Sequence, residues 1–99
     1  MVKIIEDRDS RILHAALELA GVDGYQWITR EAVARNAGVS PGTVSNVFGT
    51  MRDLKRAVLA EAIKLERLDI VAQGLGDRHP LVMAAPAALR KAAATLMVA

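Results

Sequence analysis

The sequence predicts an all-α fold: a helix-turn-helix three-helix domain, followed by a long fourth helix and a kinked C-terminal helix. Three observations predict it. The chain is 53% hydrophobic but only 3% aromatic, and alanine and leucine dominate the apolar set. No stretch alternates apolar and polar residues over a useful length, whereas apolar residues recur at three- and four-residue spacing. Finally, residues 37–46 read AGVSPGTVSN, a turn signal set between two helical patterns.

The first helix is expected to begin near Asp9 or Ser10, both good caps. Ile12, Ala16 and Leu19 form one apolar row; Leu13, Leu17 and Ala20 form the next. Arg11 and Glu18 face out, and Gly21 and Gly24 close the helix. GYQWIT follows, and Tyr25 and Trp27 beside Ile28 are expected to seal this loop onto the core. Thr29 caps a short second helix running from Arg30 to about Ala37, with Ala32, Val33 and Asn36–Ala37 on its inner side. Gly38 suits the left-handed conformation that closes a helix. Ser40 is a good cap for the next helix, and Pro41 fits its first position, where the missing N–H costs nothing. Val44, Val47 and Phe48 then point inward. Two short helices joined by a turn of about three residues have helix-turn-helix geometry.

Gly49 stops the third helix, and Thr50 with Asp53 resembles a capping box. The fourth helix is expected to run from about Met51 to Gln73, roughly 30–35 Å at 1.5 Å per residue. It carries two apolar rows. Leu54, Val58, Ala62, Leu65 and Leu68 or Asp69 form the first, and Leu59, Ile63 and Ile70 the second. One row covers the helix-turn-helix; the other needs a fifth helix or another subunit. GLGDRHP breaks the pattern. Residues 81–98 are again helix-like, and Pro86 must kink or restart them. Leu81, Val82 and Met83 precede that point; Leu89, Leu96, Met97 and Val98 follow it. This tail is too apolar to remain free in water. The expected organisation is residues 1–50 as a DNA-binding part and residues 51–99 as a helical dimerisation part, packed in the same compact domain.

With 99 residues, one domain is expected, and a chain so short gains from a partner that covers more surface. Cysteine is absent, which excludes disulfides and thiolate metal sites and fits a cytoplasmic location. His14 and His79 are far apart, so no metal-ligand spacing is present. The start, MVKIIEDRDS, lacks the apolar core of a signal peptide, and LVMAAPAAL is too short to span a bilayer, so no membrane partner is expected. The net charge is +2, but it is unevenly spread. Residues 1–29 carry three basic and five acidic side chains, and residues 30–67 carry seven basic and four acidic. The positive excess thus lies on and after the turn motif. No nucleophile elbow, phosphate-cradling Gly loop, HExxH or paired carboxylate set occurs. No enzyme activity and no cofactor are therefore expected.

From Ile12 to Leu54 the chain resembles the DNA-binding domain of TetR-type repressors. The features that carry the resemblance are Ala15–Ala16, Gly24–Tyr25, Ile28–Thr29, Val33–Ala34, AGVSPGTV, Phe48 and Asp53–Leu54. VARNAGVSPGTVSNVF also looks like the opening helices of LacI-type repressors, but there the motif starts almost at the N-terminus, whereas here a full helix precedes it. The TetR resemblance implies a dimeric DNA-binding regulator. Ser45 stands where that family usually has an aromatic contacting phosphate, and Met51 where it usually has a lysine. Phosphate contact there is expected to shift to Arg52 or Lys55. Too few residues follow Leu54 for the family's large ligand-binding and dimerisation domain, so small-molecule induction is not carried over.

A recognition helix offers its N-terminal residues to base edges. Base contacts are accordingly expected from Pro41, Gly42, Thr43, Ser45 and Asn46. Asn46 has the amide for a paired hydrogen bond to adenine. Phosphate contacts are expected from Arg30, Arg35, Arg52 and Lys55, with Thr29 and Ser40 at helix starts whose free N–H groups suit an anion. Arg56 is a further cation on the flank from which phosphate contact could come, but it is expected to pair with an acid on its own helix, and Glu66 and Arg67 are expected to form a solvated face.

The function expected from these residues is a sequence-specific transcriptional regulator, a repressor acting as a homodimer on a near-palindromic double-stranded operator. Two rival readings are a protein-binding, antirepressor-like regulator and a fragment of a longer ligand-responsive repressor. If 99 residues are the whole chain, control would come from abundance, proteolysis or a regulatory protein partner, as in compact regulators of phages and mobile elements.

Overall fold

The computed structural model describes residues 7–97, and every regular element among them is helical. In chain order these are α1 (Arg8–Asp23), a single 3-10 turn (Tyr25–Trp27), α2 (Arg30–Ala37), α3 (Pro41–Phe48), α4 (Met51–Lys64), α5 (Leu68–Gly76), α6 (Pro80–Met83) and α7 (Ala87–Leu96).

The cap of α1 is Asp7, whose carboxylate accepts the Ser10 N–H at 2.8 Å. The helix therefore starts before Asp9 and Ser10, the expected caps, and Asp9 lies in the first turn, where the helix dipole favours an acid. Gly21, expected to help close the helix, lies inside it; the end comes at Gly24, which donates to the Ala20 carbonyl at 2.9 Å. Tyr25 and Ile28 seal the following turn by burial, as expected. Trp27 does not: it is 75% exposed. The turn places Tyr25 inward and leaves the indole outside, against Gly24.

Helices α1 to α4 build the first half of the core. Ile12, Ala16, Leu17 and Ala20 of α1 meet Val33 and Ala34 of α2, Val44 of α3, and Leu54 and Val58 of α4. Ala34 takes the buried place on α2 that was expected of Asn36, which is exposed. The Asn36 amide instead ties α2 to α1, donating to the Ala15 carbonyl at 3.2 Å and to the Glu18 carboxylate at 3.1 Å.

The long fourth helix is two helices. It ends at Lys64, after 14 residues, and the chain reverses through Leu65, Glu66 and Arg67. A pair of backbone bonds closes this corner. Glu66 adopts the left-handed conformation at φ 55°. Its N–H donates to Ile63, and the Arg67 N–H reaches back to Ala62 at 2.8 Å, a Schellman closure. Arg67 then grips Asp69 at 2.9 Å, at the start of α5. Glu66 and Arg67 are thus parts of a corner and not of a helix face. Leu65, expected in the first apolar row, sits at the helix end and is half-exposed.

This reversal determines how the second apolar row is covered. Leu59 and Ile70 are fully buried together with Val71, Val82 and Ala93, so α5, α6 and α7 of the same chain cover these two members of the row, while Ile63, the third, stays half-buried. Gly74 and Gly76, read as part of a break, belong to α5. A Cβ at Gly74 would come within 2.6 Å of Val82 and 3.1 Å of Leu59, so only glycine lets the helices approach this closely. The chain leaves α5 at Arg78, again left-handed at φ 55°, with His79 N–H bonded to the Gly74 carbonyl. Pro86 restarts the tail as the cap of α7, as its chemistry requires. Val98 lies outside the described residues.

Candidate nucleic-acid interface

The corner between α2 and α3 is closed by the same bond pattern, here with glycine. Gly38 stands at φ 76°, its N–H reaches Arg35, and the Val39 N–H donates to Ala34 at 3.0 Å. At once the next helix opens. Ser40 Oγ accepts the Thr43 N–H at 3.1 Å, and Pro41 occupies the first position. Two residues, Val39 and Ser40, separate the left-handed glycine from the new helix. The directions of α2 and α3 are therefore set by backbone bonds as well as by packing.

One side of α3 is core: Val44 is 1% exposed, and Val47 and Phe48 pack against the core as half-buried residues. The other side is polar and open. Pro41, Gly42 and Asn46 are exposed, and Thr43 and Ser45 are half-buried. No hydrogen bond engages the Asn46 amide or the Ser45 hydroxyl among the described residues, while Thr43 Oγ1 lies 2.9 Å from Ser40 Oγ within the cap. All five residues expected to reach bases thus lie on one short helix, and Asn46 has its paired donor and acceptor available.

The six expected phosphate residues lie at or beside helix starts, Arg35 excepted. Thr29 caps α2 by accepting the Ala32 N–H at 3.1 Å. Arg30 follows it, half-buried, with Nε buried and unpartnered. Ser40 caps α3. Arg35 is exposed in the last turn of α2. Thr50 and Asp53 form the expected capping box, with bonds of 3.1 and 3.2 Å. Behind that box, Arg52 is exposed and Lys55 Nζ donates to the Gln26 carbonyl at 2.9 Å. This last bond holds the start of α4 against the turn that leads into α2. Two of the three Lys55 donors remain for an anion.

Sequence reasoning misjudged one neighbour of this group and missed another. Arg56, expected to pair with an acid on its own helix, has no carboxylate within ion-pair distance among the described residues, and neither have Arg30, Arg35, Arg52 and Lys55. His79, at the start of α6, faces the same cleft as Arg52, Lys55 and Arg56. Its imidazole is held below the usual histidine range, chiefly by burial and then by the Arg56 charge, with Asp77 opposing. Spacing in the sequence gave no hint that a residue so far along the chain returns to α4. Among the described residues no cluster of three or more His, Asp or Glu could hold a metal ion, and no helix is long and apolar enough to cross a membrane.

Residues 12–58 match the family described as bacterial regulatory proteins, tetR family. Two curated proteins are similar over more of the chain. The HTH-type transcriptional regulator HbdR of Aromatoleum sp. (strain CIB) is 32% identical over 79 residues, which is 80% of this chain and 34% of that protein. The HTH-type transcriptional repressor KstR of Rhodococcus jostii (strain RHA1) is 36% identical over 76 residues, 77% of this chain and 35% of that protein. The chain thus spans about a third of the length of these relatives. A match of that length cannot fit within residues 1–58, so the similarity continues into the helices after the helix-turn-helix. No solved structure matches the chain.

Proposed function

The chain carries a TetR-type helix-turn-helix DNA-binding domain, and from that premise we propose that it acts as a sequence-specific transcriptional repressor, with α3 entering the major groove of double-stranded DNA. The observation that carries this reading is the two-sided character of α3. Val44 anchors one side while Pro41, Gly42, Thr43, Ser45 and Asn46 stay accessible on the other. Asn46 reads an adenine, and the small residues around it let the backbone come close. Arg30, Arg35, Arg52 and Lys55 hold phosphates and set the register, with the helix starts at Thr29 and Ser40 assisting. The protein needs no cofactor for this and performs no chemistry on the DNA, and its place of action is the cytoplasm.

One short helix contacts too few base pairs for useful selectivity, so two copies act together on a near-palindromic operator. Residues 1–50, joined by Arg52 and Lys55 at the start of α4, supply the DNA face, and the rest of residues 51–99 the pairing surface. With Leu59 and Ile70 buried in the chain itself, pairing falls to the groove of Ile63, Leu68, Leu89 and Ala92, and to Leu96 and Met97, exposed on the same tail. A strictly monomeric species in light scattering at high concentration contradicts the pairing.

A second reading has one observation in its favour: α3 contains neither Arg nor Lys. In that reading the domain is a scaffold and the partner is a regulatory protein. Site selection from random duplex DNA separates the two. The DNA reading expects one preferred sequence and a steep salt dependence. Asn46→Ala should relax preference at one base pair, and Arg30→Ala should weaken all sites alike and lower the salt slope by about one. No preferred sequence and a flat salt response overturn it.

A further inference from the structure

The described surface holds one concentration of positive charge that α3 does not explain. A cleft of about 390 Å³ opens between the 3-10 turn, α4 and the start of α6. Arg52, Lys55 and Arg56 line one wall; His79 lines the other, beside Tyr25 and Gln26. Arg52 and Arg56 are four apart on α4 and so lie on one face of it. None of the three α4 cations has a carboxylate within ion-pair distance among the described residues. The acid of the turn, Asp77, sits at the His79 side and accepts the Tyr25 hydroxyl at 2.6 Å and the Gln26 side-chain amide. Three cations beside one carboxylate leave the cleft net positive, and an anion entering it offsets their mutual repulsion.

The donors indicate which anion. His79 Nδ1 accepts the Leu81 N–H at 3.2 Å, so in the neutral ring the proton is on Nε2, which is left as a donor. Two guanidinium groups, an ammonium with two spare N–H bonds and this imidazole supply more donors than the two oxygens of a carboxylate absorb. A phosphate group, with more oxygens arranged in three dimensions, suits them better.

We propose that this cleft is a phosphate-binding site, and that its occupant is a backbone phosphate of the DNA flanking the base pairs read by α3, clamped between Arg56 on α4 and His79 at the start of α6. The occupant's identity rests on the DNA reading; the phosphate chemistry of the cleft does not. Arg52 and Lys55, which the DNA reading already assigns to phosphates, also line the cleft and so connect the two. The consequence is that the C-terminal half of the chain takes part in holding DNA. A rearrangement of the Asp77–Pro80 turn would therefore change affinity without touching α3.

The groups facing the His79 imidazole are Arg52, Lys55 and Arg56 from α4, Tyr25 from the 3-10 turn, edge-on at 6.2 Å, and Asp77 from its own turn. The test follows the ring signals of His79 by NMR in the intact chain, against pH, with inorganic phosphate or with operator duplex, at ionic strength matched with chloride. The expected result is a rise of the His79 midpoint by about one pH unit in both arms. Arg56→Gln should remove the rise, lower the salt slope of DNA binding by about one, and weaken DNA binding roughly tenfold. His79→Asn, which keeps an acceptor for the Leu81 N–H, should weaken DNA binding and leave the fold intact. A response to phosphate while DNA moves Asn46 but not His79 supports the cleft's chemistry and assigns it to a free phosphorylated ligand. A response to phosphate with no DNA binding at all keeps the cleft and overturns the regulator reading. No response to phosphate, with DNA moving Asn46 but not His79, overturns the proposal, as does an unchanged salt slope in Arg56→Gln.

Discussion

The Val39 N–H donates to the Ala34 carbonyl at 3.0 Å, across the left-handed Gly38. With the Gly38 N–H bond to Arg35, it closes α2 and aims the chain into α3 within two residues. Everything proposed for the polar side of α3 depends on this direction.

Gly38→Ala isolates the corner. No atom lies within 4 Å of a Cβ there, so the change adds no clash and its cost is backbone strain alone. At φ 76° an alanine should lower stability by about 1–2 kcal/mol. The check is a shift of the urea unfolding midpoint with an unchanged slope. A neutral result would mean the corner is not held in this conformation.

Glu66→Gly tests the break between α4 and α5, and the sign of the effect decides. At a left-handed helix end glycine relieves strain, so stability should rise by about 0.5–1 kcal/mol. Inside one continuous helix the same change would lower it by about 1 kcal/mol. Thermal melts of the two proteins distinguish the cases directly.

The contrast between Gly38 and Glu66 also explains what the sequence disclosed. Thr29, Ser40, Thr50, Gly38 and Gly49 are residue types that caps and helix ends select, so the helix-turn-helix could be read with its boundaries. Leu65, Glu66 and Arg67 are all good helix formers, so nothing local announced the second corner; it forms because α5 gains burial for Ile70 and Val71 by folding back. Gly74 misled in the opposite direction, since its role is to let α5 approach Leu59 and Val82. Of the candidate site, the α3 residues were legible from helical spacing, because they share one short element. His79 was not, and neither was its meeting with Arg56, because both depend on the unannounced fold-back.

Tyr25→Phe probes the tie between the first half of the chain and the end of α5. The hydroxyl bonds to Asp77, and the Tyr25 N–H donates to Gln73 at 2.8 Å, whose amide in turn donates to the Ala20 carbonyl. Burial, with the bond to Asp77, pushes the Tyr25 pKa above 10. A proton is thus held more tightly in the folded state. The corresponding stability is present in full below about pH 10 and is lost as pH rises through the folded value. The wild type should therefore lose stability in alkali more steeply than Tyr25→Phe, which should be weaker by about 1 kcal/mol at neutral pH. Parallel pH curves for the two proteins would contradict this.

The central claim is that the polar side of α3 enters the duplex, and the absence of cysteine from the chain allows a direct measurement. Ser45→Cys places a single thiol on that side, and Lys91→Cys places one on exposed α7 as a reference. The rate of thiol labelling, measured with and without saturating operator duplex, is the readout. The account predicts that DNA slows labelling at position 45 by about tenfold or more, as expected for a site closed by tight binding, and leaves position 91 unaffected. Equal labelling at position 45 with and without bound DNA would contradict it.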